Sequence, residues 1–240
     1  MISAVVIALN ESHRMADLIT NIAPYVSEIV VLDGGSTDDT RETARALGAT
    51  VHYRPFDYHF GNQRNWAKIK ANNDWILAMD CDELLEPAIG DRLSELVVMG
   101  KESGTDCFQI SEKNVFTDRD GVCECHQPVQ SAPDGNAYWN FPDYHRRLFR
   151  AHCYWEGYIH ETIVGFQKEL FIKPEWGSIV HLKDHKDQGQ SDDLYYIMRP
   201  TDYPERLKDD PEMQERLRKT PSDKWLQYVR EVNPSNVKKD

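Results

Sequence analysis

Three carboxylates fall within four residues at Asp80-Cys81-Asp82-Glu83, directly after the apolar run Trp75-Ile76-Leu77-Ala78-Met79. A short, continuous apolar run reads as a buried central strand of a mostly parallel sheet. In open α/β sheets the crevice beyond the carboxyl ends of the strands is where ligands sit, and Asp80 and Asp82 would project there. Two carboxylates about 5 Å apart repel by roughly 3 kcal/mol at an effective dielectric of 20, so a site that keeps both ionised gains from a divalent cation. Oxygen ligands of this kind suit Mg²⁺ or Mn²⁺, especially where a phosphate completes the shell. A plainer reading has Asp82 and Glu83 open a helix, since acids favour a first turn and Pro87 follows.

Other residue types add to this chemistry. Asp33-Gly34-Gly35-Ser36-Thr37-Asp38 follows a Val-Val-Leu run; its glycines allow unusual backbone angles and Asp38 can cap a helix. A carboxylate such as Asp33 at the mouth of a buried strand is costly unless it accepts hydrogen bonds, and a nucleobase amine or imide would donate them. Arg64 offers a fork of donors for a phosphate or for the acidic cluster. The pair Arg146-Arg147 reads either as a diphosphate contact or as strand-edge charge. Cys123-Glu124-Cys125-His126, with Cys107 or Cys153, could hold Zn²⁺, although Cys-x-Cys is tighter than the usual structural spacing.

The elements that must position these groups alternate cleanly. Ile2 to Leu9 reads as a strand, Arg14 to Ile22 as a helix and Glu28 to Leu32 as a strand. A helix from about Asp38 to Leu47, a strand Thr50 to Tyr53 and a helix from about Asn62 to Ala71 lead into the Trp75 strand. Right-handed crossovers then bring Asn10-Glu11, the Asp33 turn and Asp80-Cys81-Asp82 to one sheet edge. From Asp106 the pattern changes to shorter strand-like pieces rich in aromatics and His. From about Asp187 the chain turns polar, with prolines spacing short helical segments, which predicts a helical tail. The expected organisation is a nucleotide-sugar-binding half over 1–105, an acceptor-side half of the same catalytic domain over 106–186, and a C-terminal extension over 187–240.

Length and charge exclude several classes. The 240 residues suffice for one sizeable α/β core with appendages, and a net charge of −12 leaves no basic surplus for nucleic acid or anionic membranes. The five cysteines are an odd number, scattered unlike a secreted disulfide scaffold, so reduced thiols are expected. No apolar run approaches a membrane span, and the first strand begins at Ile2 without a basic leader, which predicts a soluble, cytoplasmic protein.

Taken in order, Ala8-Leu9-Asn10-Glu11, Asp33 to Asp38, Gln63-Arg64-Asn65, Asp74-Trp75-Ile76-Leu77 with Asp80-Cys81-Asp82-Glu83, Arg147-Leu148-Phe149-Arg150, His160-Glu161 and His181 make the chain resemble a family 2 glycosyltransferase of GT-A fold, in particular the bacterial lipopolysaccharide-core glucosyltransferases. The resemblance covers roughly residues 1 to 182. It implies a Rossmann-like, mostly parallel central sheet flanked by helices, with a smaller mixed acceptor-side half. The implied activity is metal-dependent, inverting transfer of a sugar from a nucleoside-diphosphate sugar, UDP by default, to a hydroxyl of a glycan, lipid-linked or protein acceptor. By the same resemblance Asn10 and Asp33 lie against base and ribose, with Ala8, Glu11, Gly35, Arg64 and Cys81 also lining the nucleotide. Asp80 reaches ribose or metal, and Asp82 and His181 ligate Mn²⁺ or Mg²⁺. Arg147, Trp155 and His160 are implied acceptor or donor contacts. An in-line displacement needs a base on the acceptor hydroxyl, and Glu161 is the candidate, although the family's usual base is an Asp; Asp143, Asp118 and Asp120 are the alternatives. The C-terminal extension has no counterpart in this resemblance and offers a route to a homo-oligomer.

Two enzyme classes fit less well. A haloacid-dehalogenase-type phosphatase also places Asp-x-Asp after an apolar strand, but Glu83-Leu84 stands where Thr or Gly would follow. A nucleotidyltransferase would want a Gly-rich basic loop where Ala8-Leu9-Asn10-Glu11-Ser12 is found. The rival from another class is a non-catalytic nucleotide-sugar or glycan-binding module.

Overall fold

A computed structural model describes residues 1–57, 59–116, 132–134, 138–157 and 160–183. Cys123, Cys125 and His126, Asp118 and Asp120, and the tail from 187 onward lie outside the described residues. In the first half β1 (Ile2–Ala8), α1 (Ser12–Ile22), β2 (Glu28–Asp33), α2 (Thr40–Ala46), β3 (Thr50–Tyr53), α3 (Phe60–Lys68) and β4 (Trp75–Met79) follow one another close to where the hydrophobic runs predict them. The helix α3 starts earlier than its apolar pattern because the His59 ring accepts the Asn62 N–H at 3.1 Å and so caps it.

Four strands pair in parallel in the order β3-β2-β1-β4. Their alternating side chains feed two cores. On one face Ala4, Val6 and Ala8 meet Met15, Leu18, Ile19 and Ile22, the i, i+3, i+4, i+7 stripe of α1. On the other, Val5, Leu32, Ile76 and Ala78 pack with Ala67 of α3 and with Phe149 and Trp155. Such double-sided burial is why these strands read as continuous apolar runs. The registers Ala8↔Asp33 and Val6↔Met79 set the carboxyl ends of β1, β2 and β4 side by side.

The chain continues through β5 (Glu83–Leu85), α4 (Pro87–Gly90), α5 (Leu93–Ser103), β6 (Cys107–Phe116), β7 (Trp139–Arg150), β8 (Tyr154–Glu156), β9 (Thr162–Val164), β10 (Glu169–Phe171) and β11 (Ile179–Lys183). The sheet extends as β4-β7-β6-β11-β5, with β10 also on β6, while β8 and β9 form a separate ribbon. Among the described strands of this sheet only β7 and β5 run antiparallel to their neighbours, so it is a mixed, mostly parallel sheet flanked by helices, of GT-A-like type. Met1–His185 form one compact unit.

Short strands are expected after Asp106, yet β6 has 10 residues and β7 has 12. The pattern misleads because β6 buries polar residues: Gln109, Ser111, Glu112, Lys113 and Asn114 are all inside. Between Phe108 and Gln109 the register with β7 shifts, since Phe108 faces Leu148 and Gln109 faces Arg146. Arg147 is the extra residue of this β-bulge, a device that re-aims side chains. Among the described residues no helix is long and apolar enough to cross a membrane.

Candidate active site

The loop after β1 and the turn after β2 are laced together. Asn10 takes a left-handed backbone angle, φ 58°, its N–H donates to Ser36 Oγ at 2.8 Å and its Oδ1 accepts the Thr37 N–H at 2.8 Å. Glu11 N–H donates to Thr40 Oγ1 and Ser12 N–H to Asp38. Burial pushes the Asp38 carboxyl up, but hydrogen bonds from Thr40 and Ser12 overcome it and hold the group well below the usual range. Gly34 donates to the Ala8 carbonyl at 2.8 Å, and Gly35, at φ 116°, requires the freedom of glycine. Asp33 is fully buried and accepts the N–H groups of Gly35 and Ser36 at 3.1–3.2 Å, with Arg41 3.8 Å away. Its own turn therefore supplies donors of the kind that the sequence reading sought in a nucleobase.

Beyond β4 the acidic motif forms a turn closed by Glu83 N–H to the Asp80 carbonyl at 3.1 Å. The four side chains then part company. Asp80 lies between two guanidinium groups, Arg64 at 2.7 Å and Arg147 at 3.5 Å. Against the upward push of burial, these charges hold its carboxyl well below the usual range. Cys81 turns its thiol into the core, onto the Ile7 carbonyl at 3.6 Å. Burial and the charges of Glu11, Asp80 and Asp82 raise the thiol, which places the acid of the first loop near this motif. Any contact of Cys81 with a nucleotide would therefore involve its backbone. Glu83 does not open a helix: it starts β5, is fully buried, accepts the Asp80 N–H at 2.8 Å and pairs with Arg147. Asp82 remains partly exposed and meets His181 Nε2 at 3.1 Å.

His181 arrives from the far half of the sheet. β11 inserts between β6 and β5 in the register His181↔Glu83, and the Leu182 N–H donates to the Asp82 carbonyl at 2.7 Å. The other ring nitrogen, Nδ1, lies 2.6 Å from Glu112 Oε1, and Glu112 Oε2 accepts from Arg147 at 3.0 Å. Of the three acids around Arg147, Glu112 is held at about 2, because against burial it also has the His181 hydrogen bond. Glu83 is pushed up by burial, with Asp80 and Glu112 adding to the push. Against burial, hydrogen bonds to Asp82 and Glu112 raise the His181 imidazole to about 10. Ligand atoms of Glu83, Glu112 and His181 all lie within 4.8 Å of one another, as do those of Glu112, Asp143 and His145.

Glu161 joins through Arg64, whose Nε donates to it at 2.6 Å while Nη1 reaches Asp80. Arg64 thus does pair with the acidic cluster. His160, at φ 49°, is exposed beside Glu161. Trp155 is displaced from its expected place: it is a core residue, packed edge-on against Phe149 at 5.1 Å, with its main chain held by Asn65 on both sides. Arg147 is neither a strand-edge charge nor open to solvent. It is buried among three carboxylates.

Residues 3–173 match the family model described as Glycosyl transferase family 2. The chain belongs to glycosyl transferase family 2. Among its relatives, an uncharacterized glycosyltransferase of Rickettsia felis is 36% identical over 109 residues, 45% of this chain and 38% of the relative. The lipopolysaccharide core biosynthesis glycosyltransferase LpsC of Rhizobium meliloti is 30% identical over 106 residues, 42% of this chain and 38% of LpsC. The chain therefore spans well under half the length of these curated relatives. Among solved structures, glucosyl-3-phosphoglycerate synthase from Mycobacterium tuberculosis with Mn²⁺, UDP and glucosyl-3-phosphoglycerate aligns at 28% identity and a TM-score of 0.39, covering 48% of this chain and 44% of the synthase. TarS of S. aureus with UDP aligns at 16% identity and a TM-score of 0.46, covering 85% and 66%.

Two residues of this family 2 site escaped sequence reasoning. Glu83 looked like the first turn of a helix, and Glu112 sits in a strand whose polar residues look solvent-facing. The one available signal for Glu112 was a carboxylate two residues after the β-type run Cys107-Phe108-Gln109-Ile110.

Proposed function

We propose that the protein is a metal-dependent inverting glycosyltransferase that moves a sugar from a nucleoside-diphosphate sugar, UDP-linked by preference, to a hydroxyl of a glycan, lipid-linked or protein acceptor. The observation that carries this reading is the Asp82–His181 pair, 3.1 Å apart between the turn after β4 and the middle of β11. Among the described acids of the motif, Asp80 and Glu83 have arginine partners, whereas Asp82 faces an imidazole, a partner that can give up its proton to a metal ion as a guanidinium cannot. A carboxylate oxygen and an imidazole nitrogen together suit Mn²⁺, the softer of the two candidate ions, better than Mg²⁺. Asp82 and His181 would hold the ion, which when bound would stabilise negative charge on the departing diphosphate.

The chain's own groups supply the rest. Asn10, Asp33, Gly35 and the main chain of Ala8, Glu11 and Cys81 border the base and ribose. Arg64, when a diphosphate arrives, offers it a second guanidinium donor. Glu161 receives the proton of the attacking hydroxyl, with His160 on the acceptor side. The name of the 30% identical relative, a lipopolysaccharide core enzyme, supports a saccharide acceptor.

The test is incubation with a UDP-sugar and Mn²⁺, following free UDP from slow donor hydrolysis, with EDTA as the control. Metal-dependent UDP release supports the enzyme. Tight UDP-sugar binding with no turnover, for any acceptor sugar added, would favour the binding module.

A further inference from the structure

We infer that Glu112 is a positioning residue for the metal centre, fixing the His181 ring through Nδ1 so that Nε2 is the nitrogen presented beside Asp82. The inference rests on the metal reading above and extends it to a residue two strands away from the acidic motif. A neutral imidazole carries one proton and one lone pair. Glu112 Oε1 lies 2.6 Å from Nδ1, and a carboxylate accepts, so Nδ1 keeps its hydrogen, and when an ion takes the place of the ring's other proton the lone pair it meets falls on Nε2. Nε2 is the atom 3.1 Å from Asp82 Oδ2.

Glu112 is itself immobilised. Its second oxygen accepts from Arg147 Nη2 at 3.0 Å, and the residue is only 3% exposed. Arg147 in turn is anchored by Glu83 and Asp80. The cross-strand order β7-β6-β11 carries this chain of contacts from the bulge at Arg147 to the imidazole. Ligand histidines held in this way by a carboxylate typically lose 10–100-fold in metal affinity when that partner is changed.

Glu112→Gln is a sharp probe because Arg147 has donors alone. The amide must turn its oxygen to Arg147 and its NH₂ to His181, which obliges Nδ1 to accept and moves the ring proton to Nε2, the atom the ion needs. Mn²⁺ binding is measured by the loss of the free-ion EPR signal, with no nucleotide present, for the full chain, Glu112→Gln, His181→Ala and the double variant. Glu112→Gln is expected to weaken Mn²⁺ by roughly 10–100-fold, His181→Ala by at least as much, and the double variant no further than His181→Ala. The ¹⁵N shifts of the His181 ring should report the exchange of protonated nitrogen.

Wild-type affinity in Glu112→Gln, or the same loss from it in the His181→Ala background, would overturn the proposal, because Glu112 would then act otherwise than through the ring. Unchanged affinity in His181→Ala would instead overturn the metal reading on which it rests. If Glu112→Gln does not fold, Glu112→Asp keeps the charge beside Arg147 while withdrawing the oxygen from Nδ1, and the same cycle decides.

Discussion

Arg147 should be the costliest side chain to remove from the site, and the size of the loss follows from its partners. Arg147→Met keeps much of the apolar stem and deletes the guanidinium that serves Glu83, Glu112 and Asp80. Glu112 is held at about 2 against an ordinary 4.5. Against burial, the His181 hydrogen bond and the Arg147 charge together hold it there. Breaking a buried ion pair from one side generally costs about 3–5 kcal/mol, so we expect about 3 kcal/mol at pH 7. The sign of the pH dependence is fixed by the depressed carboxyl. Its contribution is fully present above the unfolded value near 4.5 and is lost as pH falls through about 2, so the wild-type advantage should shrink between pH 4.5 and pH 2. Urea unfolding of both proteins at pH 7 and at pH 3 measures the difference. A deficit below about 1 kcal/mol at pH 7, or one that does not shrink in acid, would refute the reasoning.

Asp82→Asn should abolish Mn²⁺-dependent binding of UDP while shifting the urea midpoint little, since Asp82 is partly exposed; calorimetry with and without Mn²⁺ checks this, and retained metal dependence would count against the ligand role. Asp33→Ala should weaken UDP by freeing the Gly35–Ser36 turn that holds the Asn10 loop; equal calorimetric affinities would confine Asp33 to the stability of its own turn. Glu161→Gln should lower kcat by roughly 10² to 10⁴ with UDP affinity nearly unchanged, and joint loss of nucleotide and metal binding would make Glu161 structural through its Arg64 pair.

The first half of the sheet was legible because β1, β2 and β4 are buried on both faces and so read as short unbroken apolar runs ending in polar turns. Once parallel crossovers are assumed, the convergence of Asn10, Asp33 and Asp80 follows from topology alone. The second half resisted for a physical reason: β6 fills its interior with Gln109, Ser111, Glu112, Lys113 and Asn114, each satisfied by a partner distant in sequence. Lys113 reaches Glu86 at 2.6 Å and Asp134 at 2.7 Å, and Ser111 pairs with Ser178 at 2.8 Å. No local pattern announces such pairs. Trp155, which the resemblance implied as an acceptor or donor contact, has its ring in the second core beside Phe149.

The Asp-x-Asp motif acquires a physical meaning from its turn. Residues 80 and 82 are partly exposed while 81 and 83 are buried, so the spacing of two puts both acids on the open side and demands that the intervening residue be acceptable to the core, as Cys81 is. The same spacing sends Glu83 inward, where a carboxylate is tolerable only against Arg147, and Arg147 is delivered there by a bulge in a strand 64 residues later in the chain. With Arg147 and Arg64 both drawn onto Asp80, the two acids of the motif are no longer equivalent. The charge of Asp80 is balanced by two guanidinium groups, and Asp82 is left facing a histidine whose orientation Glu112 fixes. Metal selectivity at this site would then depend less on the motif itself than on the buried β6–β7–β11 pairs that decide which of its acids is held by arginine.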